Sequence, residues 1–262
     1  MPTPTIPRQF VTVDGLTTAH AVFGEQGTPV IMLHGWGASV DLVAPLATRL
    51  ANQGFHCFAL DLPGFGQSVP PPETWGTNDY ANFVTHYMML LNIDKAHFFG
   101  HSFGGRLCLV IGAEHADKVD KIVLADSAGV PPRRSTSSQL RLSAYKAIRN
   151  ALYGMGAGGL ADRLRDAYTR RYGSADYKSA GVLRATFVRV VNENLLPYAA
   201  QVRASTLLIW GAKDDDTPLW QGQTLEKTIP DAGLVVYEDA GHYSYLDRLN
   251  DAARTIVYFF TH

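Results

Sequence analysis

The stretch FFGHSFGGRL, residues 98–107, decides how this chain is read. Within it, Gly100-His101-Ser102-Phe103-Gly104 sets a serine between glycines two positions away on either side. Such a serine can sit exposed on a sharp strand-to-helix turn, because the glycines relieve the crowding of a reversing backbone. The pattern carries weight only where a strand precedes it and a helix follows. The apolar run AHFFG predicts that strand, and FGGRLCLVIGAEH predicts the helix. Ser102 then projects from the carboxyl end of a strand, where open α/β sheets place their ligands.

On both sides of this turn, short apolar runs alternate with longer amphipathic ones, the pattern of a mostly parallel sheet flanked by helices. Strands are predicted at 9–13, 17–23, 29–34, 55–60, 96–100, 119–125, 206–210 and 233–237. Helices are predicted near 40–52, 78–91, 103–115, 218–228 and 246–260. The first two strands form a hairpin around Asp14-Gly15, a pair that favours a two-residue turn. Residues 128–200 interrupt the alternation with three or four helical stretches and no convincing strand. They read as a helical cap inserted after the sixth strand, dividing the core into 1–127 and 201–262. This segment holds 12 Lys and Arg against 4 Asp and Glu, a net charge of +8, whereas the remainder is net −9. Either a basic cap docks on an acidic core with its surplus solvated, or the cap favours anionic substrates or partners.

At 262 residues, 46% hydrophobic, 18% charged and net −1, the chain suits one large soluble α/β unit, with no charge bias toward nucleic acid. Neither a signal-type apolar segment nor a run of roughly 18 apolar residues occurs, so no membrane association and a cytoplasmic location are the expectations. Cys57 and Cys108 lie in apolar segments and read as buried free thiols, and no Cys/His cluster has zinc-ligand spacing.

A serine alcohol is a weak nucleophile until a base takes its proton and an acid holds that base. His242, in Asp239-Ala240-Gly241-His242 after the run LVVYE, is the best-placed base. Asp214, in Trp210-Gly211-Ala212-Lys213-Asp214 after TLLIW, is the favoured acid, with Asp215, Asp216 and Asp126 as competitors. The oxyanion formed in acyl transfer needs preorganised donors. The loop His34-Gly35-Trp36-Gly37 follows a strand and can supply the amide of Trp36, with that of Phe103 as its partner. His34 reads as a hydrogen bonder that orders this loop, His101 as packed beneath the turn, and Asp61 as a structural residue bordering the pocket.

The motifs HGWG (34–37), DLPGFGQS (61–68), GHSFGG (100–105), WGAKD (210–214) with Pro218, and DAGH (239–242) resemble, in order and spacing, those of the α/β-hydrolase superfamily across residues 9–260. The resemblance implies an eight-stranded sheet with a cap. It also implies the chain order nucleophile, acid, histidine, matched by Ser102, Asp214 and His242, and chemistry through an acyl-enzyme. A serine at 102 argues against haloalkane and epoxide hydrolysis, which relatives perform with an aspartate there. No cofactor or metal is implied. Gly35, Leu219, Trp220 and Tyr243, with His34, Trp36 and Phe103 nearby, are expected around an apolar pocket for a small-molecule ester. The leading expectation is a carboxylesterase for small to medium acyl esters. A carbon–carbon bond hydrolase of ring-fission diketones is the alternative, and a ligand receptor on the same fold is a third reading.

Overall fold

The computed structural model describes residues 6–133, 136–172 and 175–262. Eight strands form one sheet: β1 (Gln9–Val13), β2 (Leu16–Phe23), β3 (Thr28–Leu33), β4 (Phe55–Leu60), β5 (Ala96–His101), β6 (Val119–Ala125), β7 (Ser205–Gly211) and β8 (Ala232–Tyr237). Each predicted strand is present to within one residue at either end. The spatial order is β1-β2-β4-β3-β5-β6-β7-β8. Only β2 runs against the others. Asp14 and Gly15 both adopt positive φ, 50° and 80°, as the tight hairpin between β1 and β2 demands.

Helices cover both faces of the sheet, so its central strands are apolar throughout. Alternate residues go to opposite sides. Ile31, Leu33, Phe98, Leu124 and Trp210 pack on one face with α2 (Thr77–Leu90) and α3 (Phe103–Glu114). Val30, Met32, Phe99, Val123 and Ile209 pack on the other, under α1 (Val40–Ala51) and the C-terminal helix. Cys57 and Cys108 are buried free thiols on opposite faces. Burial pushes both pKa values up, that of Cys57 to about 12, which leaves neither thiol nucleophilic.

Between β6 and β7 the chain forms α4 (Thr136–Gly154), α5 (Gly158–Tyr172), α6 (Ala175–Ser179), α7 (Arg184–Asn192) and α8 (Leu196–Ala199). Among the described residues these are five α-helices, where the sequence suggested three or four helical stretches. The insert is tied to the core at its C-terminal side. The Glu193 carboxylate accepts from the backbone and hydroxyl of Thr77 at the start of α2, and within the insert Leu195 N–H donates to Gly129 O at 3.0 Å, drawing its two ends together. After β7 come α9 (Trp220–Thr228), α10 (Ser244–Asp247) and α11 (Leu249–Thr261). The single helix predicted over 246–260 is therefore two, broken at Arg248. Among the described residues no helix is long and apolar enough to cross a membrane.

Candidate active site

The loops leaving the carboxyl ends of β3, β5, β7 and β8 converge on one cavity of about 310 Å³. Ser102 stands between β5 and α3 with φ 49° and ψ −106°. A non-glycine residue in that region is strained by roughly 1–3 kcal/mol and persists only where its surroundings hold it. Here Ser102 N–H donates to Ala125 O at 3.1 Å, while Ser102 O accepts from the amides of Gly105, Arg106 and Ala128 at 3.1, 3.3 and 3.1 Å. A Cβ on Gly104 would lie 2.2 Å from Leu33 O, so only glycine lets α3 approach β3 this closely. Local backbone chemistry thus presents Ser102 at the N-terminus of α3, a place that favours developing negative charge.

Asp214 follows β7 in a tight turn that gathers donors on its carboxylate. Oδ1 accepts from the amides of Asp216 and Thr217 at 2.8 and 2.9 Å. Oδ2 accepts from Thr217 Oγ1 at 2.7 Å and pairs with His242 Nδ1 at 2.9 Å. Burial raises the carboxyl pKa, but these hydrogen bonds, led by that of His242, outweigh it and hold the group below its ordinary 3.8. Burial likewise pulls His242 down, yet the Asp214 hydrogen bond and charge, with Asp126 and Asp216 behind it, leave the imidazole above its ordinary 6.5. With Nδ1 occupied, Nε2 is the remaining imidazole nitrogen. Among the described residues neither Nε2 nor the Ser102 hydroxyl has a hydrogen-bond partner, and both residues line the cavity.

Of the competing acids, Asp126 is fully buried and already committed. Its Oδ1 accepts from Gly211 N–H at 2.9 Å, and its Oδ2 from Ser244 N–H and Oγ at 2.9 and 2.6 Å. Asp215 and Asp216 are exposed and make no hydrogen bond to His242 among the described residues. Asp214, Asp216 and His242 place metal-ligand atoms within 4.8 Å of one another. A metal would have to displace the Asp214–His242 hydrogen bond, so the donor set fits charge support of an imidazole better than ligation.

Trp36 and Phe103 both line the cavity, and among the described residues neither backbone N–H donates a hydrogen bond within the protein. Their rings meet edge to face at 5.3 Å, and Trp36 also contacts Phe187 of α7 at 5.0 Å, which ties the loop after β3 to the insert. Gly35 is a close approach: a Cβ there would sit 2.8 Å from His101 Nδ1 and 3.4 Å from Ser102 Cβ. Gly35 and Tyr243 lie on the cavity wall.

Three expected pocket residues do not reach the cavity. His34 is fully buried under the loop, where its Nε2 accepts from Leu62 N–H at 3.0 Å and its Nδ1 meets Gly35 O at 2.7 Å. Burial, the largest influence, lowers its pKa and keeps it a neutral loop tie. Leu219 and Trp220 pack against the core, with the Arg133 guanidinium 4.2 Å above the Trp220 ring. Thr217, in the loop before α9, and Gln221, in the first turn of α9, line the cavity instead. His101 does border the cavity, with Nε2 donating to His242 O at 2.8 Å. Burial and the neighbouring His242 push it down to about 3, so it remains neutral. Asp61 is structural, accepting from Val40 and Gln67 amides at 2.7 and 2.9 Å. Sequence reading missed Thr217, Arg106 and Gln221 and the apolar wall from α7, formed by Phe187, Val190 and Val191. The one signal for Arg106 was its spacing, four residues after Ser102 on a predicted helix.

A family model described as alpha/beta hydrolase fold matches residues 28–150, and one described as TAP-like protein matches residues 189–261. The chain belongs to the α/β-hydrolase superfamily and is an enzyme of the hydrolase class. It is 28% identical over 248 residues to the pimeloyl-[acyl-carrier protein] methyl ester esterase of Chromobacterium violaceum, covering 88% of this chain and 94% of that one. It is 26% identical over 262 residues to the 2-hydroxy-6-oxo-6-phenylhexa-2,4-dienoate hydrolase of Burkholderia cepacia, covering 90% of each. Among solved structures, the enol-lactonase of Burkholderia xenovorans superimposes with a TM-score of 0.75 at 22% identity, covering 97% of this chain and all of that one.

Proposed function

We propose that this enzyme is a carboxylesterase for small to medium acyl esters, working through Ser102, His242 and Asp214. The observation that carries the reading is the 2.9 Å pairing of His242 Nδ1 with Asp214 Oδ2 on the wall of a cavity that also holds Ser102 in its strained turn. In the first step His242 Nε2 takes the hydroxyl proton as Ser102 Oγ attacks the ester carbonyl. The resulting oxyanion accepts from the amides of Trp36 and Phe103, which preorganised donors of this kind stabilise by roughly 3 kcal/mol each. Collapse expels the alcohol, which receives its proton from His242, and leaves an acyl group on Ser102. Water, deprotonated by the same nitrogen, then releases the acid and restores the serine. Asp214 stays ionised throughout and supports the imidazolium.

The cavity is near the lower end of the roughly 300–1,000 Å³ usual for small-ligand sites, and its aromatic and aliphatic walls suit a short acyl chain. Measuring release of acid from short acyl esters by the parent and by Ser102→Ala tests the proposal. Turnover should fall roughly a thousandfold or more, and retention of the parental rate would overturn the reading. Similarity to the dienoate hydrolase supports a second reading, cleavage of a carbon–carbon bond in a ring-fission diketone. Bleaching of such a substrate faster than any ester is cleaved would favour it.

A further inference from the structure

The cavity contains a buried cation that the ester chemistry does not use. Arg106 stands one helical turn after Ser102 on α3, its side chain is 6% exposed, and it forms part of the cavity wall. Its Nη2 donates to Val190 O and, at 2.9 Å, to Glu193 O at the end of α7. Nε is buried with no hydrogen-bond partner, and among the described residues Nη1 makes none either. The carboxylate paired with it among the described residues, that of Glu193, lies 4.0 Å away and is shared with Thr77 and Arg189. Burial pushes the guanidinium down to about 10, against the pull of Glu193, so it is still charged at neutral pH. A buried cation with so little compensation favours an anionic group entering its cavity. A second polar group is available there. Gln221, 6% exposed, lines the same cavity, and its side-chain amide makes no hydrogen bond among the described residues.

The acidic groups of the cavity lie elsewhere. Asp216 is within 4.8 Å of His242, the residue that must protonate the departing alcohol, and Asp176 also lines the cavity. Negative charge on the alcohol side would meet these carboxylates. An anion is therefore best accommodated on the acyl side.

We propose that Arg106 is a carboxylate-binding residue of the acyl site, and that the preferred substrates are half-esters of short dicarboxylic acids. This inference rests on the esterase reading for its substrate class. Its test compares monomethyl esters of succinate, glutarate and adipate with neutral methyl esters of matched shape, such as methyl 5-methylhexanoate against monomethyl glutarate. The parent should prefer the anionic ester at its best chain length, and Arg106→Gln should lower the ratio of kcat/KM for anionic over neutral ester at least tenfold. Arg106→Lys, which keeps the charge, should recover much of the ratio. A purely structural tie to α7 would depress both esters together, and that result, like a parent with no anionic preference, would overturn the proposal. Calorimetry of free glutarate with Ser102→Ala protein reads binding without turnover. Glutarate bound by Ser102→Ala but not by the double variant with Arg106→Gln would sustain the subsite even if no ester were cleaved, and equal binding by both would refute it.

Discussion

His242 and Asp214 form a closed pair, Nδ1 to Oδ2 at 2.9 Å, with Thr217 Oγ1 lying 2.7 Å from the same carboxylate oxygen and 3.4 Å from the same imidazole nitrogen. The threonine hydroxyl oxygen also lies 3.0 Å from Asp126 O, so the acid, its histidine and the end of β6 meet around one side chain. The imidazole then has one free nitrogen, and its place at the cavity wall fixes where a proton can be exchanged.

From this pairing follows a pH dependence. Asp214→Asn removes the charge that holds His242 above 6.5 and presents an amide where the imidazole N–H needs an acceptor. The acid limb of kcat/KM against pH, which in the parent should have its midpoint above 6.5, moves to lower pH, and the plateau falls roughly a thousandfold or more. The stability effect has a definite window. Asp214 is depressed, so its contribution is present above 3.8 and is lost as pH falls through its folded value; His242 is raised, so its contribution is present below 6.5 and is lost as pH rises through its folded value. The melting temperature difference between parent and variant should be largest near pH 5 and smaller at pH 9. A difference that grew steadily toward alkaline pH would contradict the pairing.

The turn at Ser102 holds a non-glycine residue at positive φ, and on the proposed mechanism stability there is given up for chemistry. Its φ of 49° suits glycine, so Ser102→Gly should abolish ester turnover and yet unfold at higher temperature than Ser102→Ala, by an amount equivalent to about 1 kcal/mol. Thermal melts of the two variants side by side decide this. Equal melting would mean that the turn carries no strain.

The alternation of strands and helices was legible because a doubly covered sheet writes its core as short apolar runs, and Ser102, Asp214 and His242 could each be placed because each follows such a run. The composition of the cavity was far less legible. Phe187, Val190 and Val191 come from an amphipathic helix whose apolar face looks the same whether it meets a core or a ligand. Leu219 and Trp220 suit a pocket by residue type and position in the sequence, but Thr217 and Gln221 line the cavity instead. Arg106 was missed because its burial depends on the insert, which brings the carbonyls of Val190 and Glu193 over it.

Gly35 gives a steric prediction. The Cβ of Gly35→Ala would meet His101 Nδ1 at 2.8 Å and Ser102 Cβ at 3.4 Å, and His101 cannot retreat freely because Nε2 is bonded to His242 O. The loop carrying the Trp36 amide must shift instead. Overpacking of this kind destabilises by about 1–3 kcal/mol, and displacing an oxyanion donor lowers kcat by about a hundredfold. Steady-state kinetics should therefore show the loss chiefly in kcat, and a variant with normal kcat would place the oxyanion donors elsewhere.

Asp126 and Asp214 are both buried carboxylates beside the site, and substitution should separate their roles. Burial raises Asp126 to about 6, against the hydrogen bonds it accepts from Ser244 and Gly211. Those bonds hold the start of α10 and the end of β7 to the end of β6. In Asp126→Asn one oxygen becomes an NH₂ group, and either the Gly211 amide or the Ser244 amide loses its acceptor. A buried donor left in this way costs about 1–3 kcal/mol, without removing the carboxylate that touches His242. Asp126→Asn should thus melt several degrees lower while keeping most of the kcat of its folded fraction, whereas Asp214→Asn should lose kcat with a smaller change in melting at pH 9. Active-site titration of the folded enzyme, paired with thermal unfolding, distinguishes the two. If Asp126→Asn lost kcat as severely as Asp214→Asn, the acid supporting His242 would have to be reassigned to the pair acting together.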